Sequence, residues 1–118
     1  MSIKSYRDLN VWQKAMDLVV ESYKVVNLRP KNEVYCLPTQ IQRAAVSIPA
    51  NIAEGHGRLD DGHFRQFLAT SRGSLFELQT QLELAGDLKL VSGDVVRHLM
   101  ESCEEVARLI NGLLGALE

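Results

Sequence analysis

From residue 64 onward, apolar or small side chains recur at Phe64, Leu68, Ser71, Leu75, Leu78, Leu82 and Ala85, in strict alternation of steps of four and three. That period belongs to one face of a helix held against other helices, and a strand, whose faces alternate every two residues, cannot present it. Three more runs repeat the pattern: Leu9, Trp12, Met16, Val19, Tyr23 and Val26; Ile41, Ala45, Ile48 and Ile52; and Leu99, Cys103, Val106, Ile110, Leu113 and Leu117. No stretch carries the two-residue alternation, so the chain is expected to be all-α. Connections of under about ten residues make successive helices antiparallel neighbours, which gives an antiparallel up-down-up-down four-helix bundle. Residues 1–118 leave room for one domain, with 1–7 as a polar N-terminal arm. At this length folding buries roughly 65% of the extended-chain surface, enough for one helical core.

Punctuation residues place the helix ends. Asn10 or Asp8 is positioned to cap the first helix and Pro30 to end it, with Leu28 to Glu33 as the first connection. Pro38 suits the first turn of a second helix running from about Pro38 to Glu54, where a missing backbone donor costs nothing. Inside that helix Pro49 removes a donor and pushes on the carbonyl of Ala45, so a kink is expected, with Ser47 placed to help satisfy the freed carbonyls. Gly55 reads as the left-handed residue that ends the helix, with Gly57 as the alternative. Asp60 or Asp61 caps the third helix and Ser92 or Asp94 the fourth. Gly73, in mid-helix between Ser71 and Ser74, is expected to be compensated by the close approach of a neighbouring backbone.

The run S-I-P-A-N-I-A-E-G from Ser47 to Gly55, followed by Arg58, Phe64, Phe67 and the R-G-S-L-F-E-L of Arg72 to Leu78, resembles a known family. So does D-L-N-V-W-Q-K-A, from Asp8 to Ala15. The family is that of four-helix bundle proteins encoded in intervening sequences of bacterial 23S rRNA genes, and the resemblance covers nearly the whole chain. It implies the bundle fold and a kinship with the accessory protein of diversity-generating retroelements. That protein assembles as a pentamer and binds nucleic acid and a reverse transcriptase.

Composition narrows the function classes. Hydrophobic residues at 46% and charged residues at 24% fit a folded globule rather than a disordered chain. The net charge of -2 provides no general attraction to phosphate backbones, so nucleic-acid binding requires a local patch. No window approaches the length of apolar residues that crosses a membrane, and residues 1–9 lack the apolar run of a signal peptide. With only Cys36 and Cys103, neither near a ligand-spaced partner, the thiols read as core residues in a reducing cytoplasm. Paired-metal bundles use Glu-x-x-His, which is absent here, and His56, His63 and His98 fall in or near connections or early in a helix, where solvation is expected. No catalytic residue, metal ligand or cofactor is expected: no histidine lies at a spacing that places it beside Ser47, Ser71 or Ser74, and the glycines at 55, 57 and 62 lack the lysine and strand of a phosphate loop.

Three groups remain as candidate sites. Arg58, Arg65 and Arg72 are spaced by sevens, forming either a phosphate-binding ridge or a set of ion pairs, with Asp61 for Arg65 and Asn51, Glu54 or Glu77 for Arg72. Arg43, Ser47, Asn51 and Glu54 on the polar side of the second helix read as a buried network that sets register or subunit contact. Val11, Ala15, Leu18, Ser22 and Val25 form a second row on the first helix, and Met100, Ala107 and Leu114 on the fourth. Those second rows are wider than a lone bundle needs and are expected to be a subunit interface, with Trp12 and Tyr23 in the core. The expected partner is therefore the chain itself in a homo-oligomer, which the resemblance makes a pentamer, with RNA, DNA or a second protein as further candidates. The two function readings are a non-enzymatic scaffold and a nucleic-acid-binding oligomer.

Overall fold

The computed structural model describes residues 5–27 and 37–117; the first connection with Pro30, and Cys36, lie outside the described residues. Four helices account for nearly all of the rest: α1 (Asn10–Asn27), α2 (Leu37–His56), α3 (Asp61–Asp87) and α4 (Gly93–Ala116). Residues far apart in sequence fix their directions. Ser47 meets Ser74 while Gly55 meets Phe67, so α2 and α3 run opposite ways. Arg72 reaches Asn111 while Gly86 lies against Val96, which reverses α4 on α3. Lys14 pairs with Glu105, and Lys24 shares a cleft with Val95, closing α4 back onto α1. The result is an antiparallel bundle, 45 Å long and about 20 Å across. α1 and α3 pack on both α2 and α4 and lie diagonally opposite each other.

The seam of α3 is buried as its spacing predicts: Leu68, Ser71, Leu75, Leu78, Leu82 and Ala85 are all enclosed, with Phe64 half-buried at the end. Ile41, Ala45, Ile48 and Ile52 of α2 meet them, as do Leu99, Cys103, Val106 and Ile110 of α4. α1 is rotated relative to expectation. Its core face is Val11, Ala15, Leu18, Ser22 and Val25, the row assigned above to a subunit interface, joined by Val26 of the expected seam; Leu9, Trp12 and Val19 of that seam are half-buried, and Met16 and Tyr23 stand at the surface. Ala15 and Ser22 are small and let the helix axes come close, whereas Trp12 and Tyr23 are bulky and carry polar tips that favour the edge of the bundle. Met100, Ala107 and Leu114 are likewise packed, half-buried, against the chain's own core.

The ends also differ in places. At the N-terminal end a short 3-10 turn over Tyr6–Asp8 is closed by the Ser5–Asp8 capping box, and Tyr6 stands edge-on to Trp12 at 5.2 Å. α2 does not stop at Gly55 but runs on through Pro49 and Gly55 to His56. Gly55 is needed for space instead of conformation, because a Cβ there would lie 2.6 Å from Phe67 Cβ. The left-handed residue is Leu59, at φ 61 in the connection that follows. Asp60 caps α3 and Ser92 caps α4. Gly73 has open space where a Cβ would sit, so the close backbone contact expected there is absent within the chain and its helix cost of about 1 kcal/mol is unrecovered.

Two substitutions probe this packing. Leu78→Ala should cost about 2–5 kcal/mol in a denaturant melt, since it empties a fully enclosed site. Gly55→Ala should cost about 1–3 kcal/mol by forcing α2 away from Phe67, despite alanine's better helix propensity. A stabilised Gly55→Ala protein would show that the α2–α3 approach is looser than described.

Candidate functional site

The polar residues of the central motif gather between α2 and α3. Ser71 Oγ donates to the Ile48 carbonyl at 2.9 Å, inside the core and one residue before Pro49. Ser47 Oγ lies 2.8 Å from Ser74 Oγ, and Asn51 Nδ2 donates to both the carbonyl (2.8 Å) and the hydroxyl (2.9 Å) of Ser47. Ser47 therefore bonds across to α3 rather than to the carbonyls that Pro49 frees. The network is Ser47, Asn51, Ser71 and Ser74. Arg43 and Glu54, expected in it, are exposed, and Glu54 instead holds Arg58 at 2.7 Å on the surface. Nothing in this cluster ionises near neutrality, and its serines are engaged with each other and with backbone, so its chemistry is that of a register pin.

The arginines part company. Arg58 is paired with Glu54 and lies over the Phe67 ring at 5.0 Å. Arg65 donates to the Leu117 carbonyl (3.0 Å) and Arg72 to Asn111 Oδ1 (2.9 Å), both across to α4. The carboxylates proposed from sequence, Asp61 for Arg65 and Glu54 or Glu77 for Arg72, form neither contact. Among the described residues these two guanidinium groups bond only neutral oxygens and keep their charge on the α3–α4 side. Distance along one helix could not reveal partners that a different helix supplies.

A third feature is apolar. Met16 (39% exposed), Val20 (51%) and Tyr23 (37%) on α1 continue into Val46 (43%) on α2, and Phe76 (53%) stands on α3. Tyr23, Thr39, Gln42, Arg43, Val46 and Ser47 line a groove of about 440 Å³ between α1 and α2. The exposed apolar residues of α1 are thus not the row assigned to a subunit interface, which is buried in the chain's own core.

Burial, with a smaller push from Glu104, raises the Cys103 thiol to about 12, which leaves almost no thiolate near neutral pH. His63 sits 3.4 Å from Asp60, and His56 is half-buried edge-on to Phe64 rather than solvated. The His63 amide bond to Asp60 holds that carboxyl below its ordinary value. Its capping contribution is thus complete above its ordinary value and fades as pH falls through the lowered one. No three His, Cys, Asp or Glu side chains converge on a metal-sized site among the described residues, and no described helix is long and apolar enough to cross a membrane.

An antiparallel four-helix bundle with a polar pin beside Pro49 defines the class. Residues 7–112 match the family model described as 23S rRNA-intervening sequence protein, and the chain belongs to that family. A crystal structure of a protein of unknown function from the S23 ribosomal protein family of Bacteroides thetaiotaomicron has the same fold. It superposes with a TM-score of 0.79 at 22% identity over 88% of this chain and 97% of its own. No functionally curated protein matches the sequence.

Ser71→Ala should lower stability by about 1–3 kcal/mol by removing a buried donor from the Ile48 carbonyl, measured by denaturant titration. Cys103 in the native protein should resist alkylation at about pH 8 and react fully in denaturant, read by mass spectrometry of the peptide that carries it.

Proposed function

We propose that this protein is a non-enzymatic, cytoplasmic assembly module that works as a homo-oligomer. The observation that carries this reading is the band of exposed Met16, Val20, Tyr23 and Val46 on one side of the bundle, with Phe76 on another. Soluble monomers rarely leave such contiguous apolar surface in water. Unlike patches on different sides of one subunit favour a head-to-tail contact, which closes into a ring. Five subunits is the number that the resemblance to the retroelement accessory protein suggests. Light scattering at micromolar concentration should give a multiple of 13.2 kDa, near fivefold. A 13.2 kDa particle would refute the proposal.

A second reading, that the oligomer binds RNA or DNA, is favoured by Arg65 and Arg72, whose hydrogen bonds to neutral oxygens leave them free to add phosphate contacts. The family's link to 23S rRNA intervening sequences agrees with it. A ring would repeat each arginine pair, so weak contacts would add, although the net charge of -2 per chain is repeated as well. Binding of 23S rRNA fragments should fall steeply with salt. Replacing Arg65 and Arg72 together by glutamine should weaken binding and flatten the salt slope. No binding at about 50 mM salt would dismiss this second reading and leave the scaffold.

A further inference from the structure

We infer that Phe76 of one copy seats in the α1–α2 groove of the next copy, against Tyr23 and Val46; the inference rests on the oligomer proposed above and names its contact. Phe76 is 53% exposed, a large apolar ring on α3 with no enclosure in its own chain. One turn before it, Gly73 faces open space, an otherwise unsupported glycine in the middle of a 27-residue helix. Glycine beside an exposed aromatic ring lets another surface approach the helix backbone closely, which accounts for both residues together.

The groove supplies the complement. It is about 440 Å³, has Tyr23 and Val46 as apolar walls, and carries Arg43 on its lining. The helix that bears Phe76 carries exposed Glu77 and Glu83. Across the contact Arg43 meets a surface of mixed charge, with Arg72 one turn before Phe76 and Glu77 and Glu83 as the carboxylates it can pair with.

Position along the bundle is the stricter condition. A ring whose axis parallels the bundle carries every atom to the same height in the next copy, so knob and groove must lie level. They do: Ser47, on the groove lining, bonds Ser74, two residues from Phe76. They also lie on different sides, because α1 and α3 are diagonal in the bundle. A two-fold dimer buries one and the same patch of both copies in a single contact, and a knob and a groove on different sides cannot both lie in it. A head-to-tail contact pairs each with its complement.

The test is a disulfide cross-link. With Cys36 replaced by serine and Cys103 protected by burial, Val46→Cys with Phe76→Cys in one chain should, under mild oxidation, give a ladder of covalent multiples of 13.2 kDa. Each single variant should stay at 13.2 kDa on a denaturing, non-reducing gel. Gly73→Ala, without any cysteine change, should shift the scattering mass toward the monomer while the circular dichroism stays helical. An oligomeric wild type that gives no ladder and ignores Gly73→Ala would overturn this contact and leave the oligomer standing. Single variants that cross-link by themselves would overturn it in favour of a two-fold contact. A monomeric wild type would overturn both the contact and the oligomer.

Discussion

Everything else in the bundle is arranged around the close approach of α2 to α3. It depends on a missing side chain at Gly55, which admits Phe67 to the α2 backbone, and on Ser71, which bonds a carbonyl next to Pro49 from the neighbouring helix. Small residues alone would allow the two helices to slide, whereas hydrogen bonds between named partners hold only one register. The Ser47–Ser74 contact adds a second fixed point on the same side. Hydrophobic burial drives α2 and α3 together, and the polar pin decides how they meet.

The pin sits beside the mid-helix proline. Ser71 bonds the carbonyl of Ile48 and Ser47 bonds Ser74, so the α2–α3 hydrogen bonds cluster within two residues of the proline without serving the Ala45 carbonyl that its missing donor frees. The S-I-P-A-N segment and the R-G-S-L-F-E-L segment are therefore two halves of one contact: Ser47 and Asn51 come from the first, Ser74 from the second, with Ser71 immediately before it.

Much of the fold was legible in the spacing of side chains. The α3 seam from Leu68 to Ala85 and the α4 seam from Leu99 to Ile110 are buried where the alternation of four and three placed them. On α1 two adjacent rows satisfied the same period, and hydrophobicity alone favoured the row with Trp12, Met16 and Tyr23. Packing chose the smaller one, because Ala15 and Ser22 permit shorter interhelix distances. Gly55 misled for a related reason: a glycine near a helix end reads as a cap, and only the position of Phe67 discloses its steric role. The partners of Arg65 and Arg72 lie 52 and 39 residues away on α4, at distances where sequence carries no pairing signal.

The same α2–α3 contact bears on the order in which the chain organises. Its defining pairs are close in sequence: Ser47 and Ser74 are 27 residues apart, joined through a short connection that Asp60 closes by capping α3. The seam between α1 and α4, marked by Lys14 and Glu105, needs the two ends of the chain to meet and so carries a larger loop-closure entropy. The helical hairpin of α2 and α3 is thus the natural nucleus, and the α1–α4 seam is the last to zip and the first to breathe. The contact proposed with other copies lies on the other side of α1, at the groove that Tyr23 shares with Val46 of α2, so assembly would hold α1 to the hairpin and leave the α1–α4 seam as the loosest join of the subunit.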